Sequence, residues 1–507
     1  MLKLAELFQN DMILQRRKPV RIWGTSDSEV SVSVTINNIG VGVFDLPTGD
    51  FSIELPPQEA MENANIEFKI DGNRELSLTG VDFGEIWIAG GQSNMEFYMR
   101  WDANGQDFIA THTDEHIRHY EVGRFCFEGH RQEGTKDVSH SFKWMKLGPD
   151  TTQYFSAVGT YFAHELRDKL NIPIGIIACN WCGSTASAWL DRTILENDPD
   201  LRVYVDDYKK GLEQLDLSKY HDKMKAARQK EFKKGPADFE KLHGTLATKP
   251  ASKLTKFVRS IGNQPLGPEE PNRPGCLYEY MVKEIAGFAC AGVIWYQGET
   301  DAGHADIYDK LFGAMIDNWR RDFKDELPFF YVQLAPFEQW LNCYGNDFPK
   351  LRQAQARAEK QLQNVYMVSI MDAGERYDIH PKNKVVPAHR LALKALKYMY
   401  NVAVQCEEPE IEDVIFKPEA IEVVFKNAAG GLECDYGFNE LFDIRVDGNL
   451  ISYNEKIVDN TIVITSDEYK ADSKVEIAFA YRDYLKMDLY NRAGLAARPM
   501  EWRSNGL

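Results

Sequence analysis

The strongest constraint on the fold of this chain is a pattern that occurs four times: a short apolar run followed at once by a polar, mostly glycine-bearing segment. Residues 85–97 read Glu-Ile-Trp-Ile-Ala-Gly-Gly-Gln-Ser-Asn-Met-Glu-Phe, so the apolar run 86–89 stops at two glycines, and Ser93 follows between Gln92 and Asn94. Residues 179–190 read Cys-Asn-Trp-Cys-Gly-Ser-Thr-Ala-Ser-Ala-Trp-Leu behind the apolar run 174–178. Residues 293–302 read Val-Ile-Trp-Tyr-Gln-Gly-Glu-Thr-Asp-Ala, again with the polar part behind an apolar run. Asp378-Ile379-His380-Pro381 follows the apolar run 365–371 and a glycine-containing loop. Short, wholly apolar runs that alternate with helical patterns suit a parallel sheet buried on both faces. In such sheets ligands bind outside the carboxyl ends of the strands, where four loops can supply Ser, backbone N–H, amide and imidazole groups together.

The pattern divides the chain into three parts. Residues 1–80 hold short alternating runs rich in Val, Ile and Thr, such as 30–36 and 66–70, with Asp71-Gly72 as a turn signal, and read as a β domain. Residues 81–404 alternate strand-like runs with helical patterns at 157–170, 351–362 and 387–400, which predicts an α/β layer fold. Residues 405–507 return to β-like runs at 421–425, 461–465 and 475–480, a second β domain. Within the middle part, residues 198–274 are rich in Lys, Glu and Asp and contain the breaker Lys233-Lys234-Gly235-Pro236. They read as an insertion of helices with solvated faces, either a lid over a site or a surface excursion.

A serine held out at a strand-to-loop turn is presented for attack, and neighbouring amides can hold a developing oxyanion. Read alone, each block has an ordinary structural alternative, since serine and asparagine are common turn residues and aromatic residues at strand ends are usually core. In order, the four blocks resemble those of the SGNH hydrolases and, within them, of the sialate O-acetylesterase-like carbohydrate esterases. Gly91-Gln92-Ser93-Asn94-Met95 resembles the nucleophile block, and residues 181–189 the block that lends a glycine N–H. Trp295-Tyr296-Gln297-Gly298-Glu299 resembles the third block, and Asp378-Ile379-His380-Pro381 the block that carries the base. The resemblance extends to residues 7–15 and to Asp488-Leu489-Tyr490-Asn491 with Gly494-Leu495, and is weakest over 195–274. Two positions depart from the pattern: Cys182 stands where a second glycine is expected, and Tyr377 stands where an Asp-x-x-His spacing would put the acid.

The resemblance implies an SGNH (flavodoxin-like) three-layer α/β core flanked by the two β domains. It implies hydrolysis of acetyl esters on sugars, sialate 9-O-acetyl esters first, with acetylated xylan or manno-oligosaccharides as the alternative substrates. A sugar-binding protein with a degenerate hydrolase core is the alternative of a different class. The implied catalytic set is Ser93 as nucleophile, His380 as base and Asp378 as its orienting acid, with Glu299 and Asp372 as rivals for the last role. An extended Asp-Ile-His segment puts both side chains on one face, and the expected carboxylate-to-ring distance is about 2.6–3.2 Å. The expected oxyanion donors are the Ser93 and Gly183 N–H groups and the Gln297 amide, with Asn94 second to Gln297. Asn94, Trp181 and Glu299 are the substrate-contacting candidates; Trp189 and Tyr296 are either sugar platforms or core. Neutral donors suffice for this chemistry, so no metal and no cofactor is expected.

Composition narrows the partners. The 507 residues carry 59 basic and 77 acidic side chains, a net charge of −18. That balance disfavours nucleic acid and anionic membrane surfaces, which need a basic face, and leaves the acetylated carbohydrate as the expected partner. No run of about 18 apolar residues predicts a spanning helix. Residues 1–12 hold no apolar stretch of signal-peptide length. The eight cysteines are too sparse for a disulfide framework, and Cys179-x-x-Cys182 has no second pair to complete a metal site. Reduced thiols and a cytoplasmic setting are expected, or a secreted or periplasmic one if a signal peptide has been removed. The oligomeric state is not legible in the sequence.

Overall fold

The computed structural model describes residues 1–133, 141–234, 266–340, 343–434 and 441–506. They fall into two compact units. The first holds the described residues of 1–241, with 266–297 and 311–329; the second holds 298–310 and those of 330–506. Much of the expected insertion, including Gly235-Pro236, lies outside the described residues; its described part contains the helices Arg202–Glu213 and Leu217–Lys234. No helix among the described residues is long and apolar enough to cross a membrane.

One strand, Asn73–Gly91, organises the first unit. Its first half pairs antiparallel with Met61–Ile70 across a two-residue turn. Asp71 and Gly72 form that turn with φ of 49° and 78°, the left-handed pair that matches the twist of a hairpin and that Asp-Gly readily adopts. Its second half runs in a parallel sheet, with Ile174–Asn180 on one side and Gly292–Tyr296 on the other. Asp114–Glu121 extends this sheet parallel beyond Ile174–Asn180, and Trp144–Leu147 follows antiparallel. The strand passes through residue 80 without a break, so the N-terminal β region and the sheet share a backbone.

Residues 81–92, Ile174–Asn180 and Gly292–Tyr296 are buried throughout, as both-face coverage requires. The strand-borne Trp87 meets Phe162 of helix Ala157–Leu170 edge-on at 5.0 Å. On the alternate strand position, Gly90 faces Trp295, which packs edge-on against Trp189 at 6.0 Å and Trp319 at 5.9 Å. Each buried aromatic ring removes roughly 150–250 Å² from water, at about 25 cal/mol per Å². Helix Ala157–Leu170 has its own start and stop signals. Ser156 Oγ accepts the Gly159 N–H at 3.1 Å, and Asn171 ends the helix in the left-handed region with φ 51°.

In the second unit, two four-stranded antiparallel sheets run 410–416, 421–426, 461–465, 454–458 and 449–450, 442–446, 475–479, 500–504. Val423, Phe425, Ile462, Ile464, Ile444, Ile477 and Phe479 fill one core, with Phe425 edge-on to Phe479 at 5.6 Å. The β runs expected at 421–425, 461–465 and 475–480 are all strands.

His119 gives the first unit a built-in acid sensitivity. Its ring stacks on Phe155 at 4.5 Å, and Nε2 accepts the Ser156 N–H at 3.5 Å. Burial, with a smaller contribution from the nearby Arg124 guanidinium, pushes the imidazole down to about 3. The folded state therefore prefers neutral His119, while the unfolded chain takes up a proton near pH ~6.5. The stabilisation is complete above that pH and is lost as pH falls towards about 3. The urea midpoint of unfolding should drop more between pH 7 and pH 4 in the wild type than in His119→Leu. Equal drops in the two proteins would show that His119 does not carry the linkage.

Candidate active site

The register of the parallel strands builds one edge. Gly91 is paired with Asn180 on one neighbour and with Tyr296 on the other, so three strands stop at the same level. The residues that follow are Gln92-Ser93, Trp181-Cys182-Gly183 and Gln297. Main-chain bonds tie the three exits together: Trp181 N–H donates to Gly91 O at 3.0 Å, and Gln92 N–H to Tyr296 O at 3.0 Å. Gly91 has φ 131°, and a Cβ there would stand 2.2 Å from Tyr296 O, so this crossing requires glycine.

Ser93 is half-buried and opens a single helical turn, Ser93–Glu96, whose Met95 and Glu96 N–H groups donate to Gln92 O. Ser156 pins this turn: its hydroxyl donates to Met95 O at 2.6 Å while it caps the following helix. Ala157 N–H donates to Phe97 O at 2.8 Å. Glu96 is buried against Arg124 at 2.7 Å, and Arg124 also pairs with Glu121 at 2.7 Å. Asn94 is buried at 1% exposure.

The second exit is clamped by Asn272, whose Nδ2 donates to Gly183 O at 2.8 Å while its Oδ1 accepts the Thr185 N–H at 2.9 Å. Gly183 has φ 68°, and no atom stands within 4 Å of where a Cβ would be, so the loop is open beside it. Gln297 is fully buried, and its Nε2 donates to Ser184 O at 3.1 Å, linking the third exit to the second. Trp181 is half-buried, whereas Trp189 and Tyr296 are buried core residues, which removes them as sugar platforms. Cys179 is buried, Cys182 is exposed, and no disulfide joins any of the eight cysteines.

The second unit holds His380, Asp378 and Glu299. His380 is 6% exposed and lies edge-on to Trp340 at 5.3 Å. Asp378 is buried beside it, but Asp378 Oδ1 stands 3.7 Å from His380 Nδ1, beyond the expected hydrogen-bond range. The reason is local. Asp378 does not sit on an extended strand; its Oδ1 accepts the main-chain N–H of His380 at 2.9 Å, the turn an aspartate makes with the residue two ahead. Its Oδ2 pairs with Lys382 at 2.9 Å. The rival Asp372 is committed elsewhere, in a two-point pair with Arg390 at 2.7 Å for each oxygen. Glu299 is half-buried in the first turn after Gly298.

Ser156, Arg124, Glu96 and Asn272 were not read as site residues from the sequence. Only Asn272 had a local signal, its place in the turn-rich Glu-Pro-Asn-Arg-Pro-Gly at 270–275.

Comparison with known proteins bears out the resemblance drawn from the four blocks. The family described as carbohydrate esterase, sialic acid-specific acetylesterase, matches residues 253–396. Rat sialate O-acetylesterase is 24% identical over 479 residues, covering 83% of this chain and 79% of that protein. Human sialate O-acetylesterase is 24% identical over 435 residues, covering 78% of this chain and 71% of that protein. A carbohydrate acetylesterase from Xanthomonas citri has the same fold, with a TM-score of 0.74 at 24% identity over 99% of both chains.

The Asn272 clamp generates a test. Asn272→Ala should leave the far-ultraviolet circular dichroism unchanged and lower kcat for an aryl acetate about ten- to a hundred-fold. That is less than the roughly 10²- to 10³-fold cost of deleting an oxyanion donor outright. An unchanged kcat would show that the Gly183 loop keeps its place without the clamp.

Proposed function

We propose that this protein is a carbohydrate O-acetylesterase acting through a serine nucleophile and an acetyl-enzyme, with sialic acid O-acetylated at the 9-position as its leading substrate. Similarity to sialate O-acetylesterases over about four-fifths of the chain supports the substrate class. The single observation that carries the site assignment is the common level of the strand ends at Gly91, Asn180 and Tyr296, from which Ser93, Gly183 and Gln297 follow. We assign the sheet and its helices to an SGNH-type three-layer core between β regions at 1–80 and 405–507.

In this reading Ser93 Oγ attacks the acetyl carbonyl carbon while His380 takes the hydroxyl proton. The oxyanion accepts from the Ser93 and Gly183 N–H groups and from the Gln297 amide, which is held by its bond to Ser184 O. The tetrahedral intermediate collapses, the C–O bond to the sugar breaks, and His380 returns the proton to the leaving sugar oxygen. Water then attacks the acetyl-serine while His380 takes its proton; the acyl C–Oγ bond breaks, His380 returns the proton to Ser93 Oγ, and acetate leaves. Asp378 acts on His380 chiefly as a positioning residue, by fixing the loop through the His380 N–H and by placing a carboxylate 3.7 Å from Nδ1. Asn94, Trp181 and Glu299 are assigned to the sugar side.

Ser93→Ala should abolish acetate release, at a cost of roughly 10⁴- to 10⁶-fold, with an unchanged thermal unfolding profile. Acetate should be released from 9-O-acetylated sialic acid in preference to acetylated xylo- and manno-oligosaccharides. Retention of more than about a tenth of the rate in the variant would exclude Ser93 as nucleophile, and a preference for the neutral oligosaccharides would transfer the substrate assignment to them.

Because the protonated imidazole cannot accept the serine proton, kcat/KM should fall on the acid side through the free enzyme's histidine titration, ordinarily near pH ~6.5. Tryptophan fluorescence at each pH separates this loss from acid unfolding. A flat profile between pH 5 and 8 in folded protein would remove His380 as the base.

A further inference from the structure

The charged insertion at 198–274 reads from its sequence as a lid or a surface excursion, but its last described residues carry Asn272, the clamp on the Gly183 loop. The segment that brings Asn272 there, residues 267–275, lies in no helix or strand. It contains Pro268, Pro271 and Pro274, and it turns twice, with Glu270 N–H donating to Gly267 O at 3.2 Å and Arg273 N–H to Glu270 O at 3.1 Å. Each proline fixes its own φ, and each turn fixes the residues inside it. A displacement at one end of such a segment is carried along it instead of being absorbed.

The two ends are tied to different parts of the first unit. On the C-terminal side of Asn272, Gly275 N–H donates to Ser187 O at 3.0 Å, and Arg273 Nη2 donates to Cys126 O at 3.3 Å. On the N-terminal side the ties run to the insertion's own helix, Leu217–Lys234. Tyr220, 8% exposed, lies so close over the buried Gly267 that a Cβ there would stand 2.3 Å from its ring. The next residue, His221, donates through Nδ1 to Glu269 Oε1 at 2.5 Å. The Cys126 thiol, a weak donor, reaches Glu269 O at 3.4 Å.

We propose that Tyr220 and His221 are positioning residues of the esterase site. Their helix holds the segment 267–275, and through Asn272 it sets the Gly183 loop. The described part of the insertion is in this sense a brace. The inference rests on the assignment of the Gly183 N–H as an oxyanion donor. A donor displaced from the oxygen's transition-state position lowers turnover, while ground-state binding stays as it was.

The test is a double-mutant cycle on the full chain, read as kcat and KM for an aryl acetate. His221→Ala should lower kcat about three- to tenfold, the net worth of one hydrogen bond, with KM and far-ultraviolet circular dichroism unchanged. His221→Gln, which returns a donor to Glu269, should recover most of that loss. Tyr220→Ala should also lower kcat, and Tyr220→Phe, which keeps the ring over Gly267, should not. In the Asn272→Ala background neither alanine variant should cause a further loss, because the path to Gly183 is already cut. Should Tyr220→Ala not fold, His221→Ala decides alone, since its side chain is 55% exposed. Unchanged kcat, a rise in KM alone, or the same loss with and without Asn272 would overturn the inference. Ser93→Ala separates this from the reading beneath it. If Ser93→Ala is inactive and the brace variants keep their kcat, only the brace is removed; if Ser93→Ala stays active, both are.

Discussion

The crossing at Gly91 is the constraint on which the candidate site residues of the first unit depend. Its carbonyl accepts from Trp181, and the Gln92 N–H donates to Tyr296 O, so two neighbouring strands are hydrogen-bonded to one peptide unit as they end. The parallel register alone would align the strand ends, but a side chain at this point would meet Tyr296 O and push the exits apart. Oxyanion donors must converge within tenths of an ångström, because they act on the position the oxygen takes in the transition state. In the proposed reading the strand register sets where the Ser93, Gly183 and Gln297 segments leave the sheet, and so the level from which such donors start.

Around this centre the positioning passes outward through side chains that do no chemistry. Ser156 carries two loads, capping helix Ala157–Leu170 and holding the Met95 carbonyl of the serine's turn. His119 accepts from the Ser156 N–H and is kept neutral by burial. The buried Glu96–Arg124–Glu121 group braces the same turn from its other end. Breaking such a group by removing one partner costs far more than forming it yields, because the remaining charge is left buried. Its presence beside the serine therefore favours a single geometry over extra stability.

The legible parts of this chain were those specified locally. Helix Ala157–Leu170 carries its amphipathic pattern and both caps within the sequence itself. The strands before each block are continuous apolar runs, and the Asp71-Gly72 turn is written in its own two residues. Helix boundaries were missed where a proline lies in the first turn. The helices expected at 351–362 and 387–400 are Phe348–Gln361 and Val385–Tyr398, with Pro349 and Pro387 inside them. Proline is tolerated there because its missing N–H would have no helical partner. The positions of Ser93, Gly183 and Gln297 could be read as blocks because each follows its strand directly. The Asn272 clamp could not, since it joins groups 89 residues apart and no periodicity encodes such a pairing.

The acid beside His380 illustrates a different limit. Sequence spacing showed that a carboxylate two residues before the histidine shares its face if the segment is extended. It did not show that aspartate at this spacing competes with that conformation by capturing the main-chain N–H two residues ahead. Asp378 has taken the second course, and its other oxygen is matched by Lys382. A carboxylate committed in this way still sets the position of the ring, because the bond it makes fixes the backbone from which the imidazole projects. What the geometry withholds is a direct bond to Nδ1, so selection of the tautomer passes from Asp378 to the remaining groups around the ring.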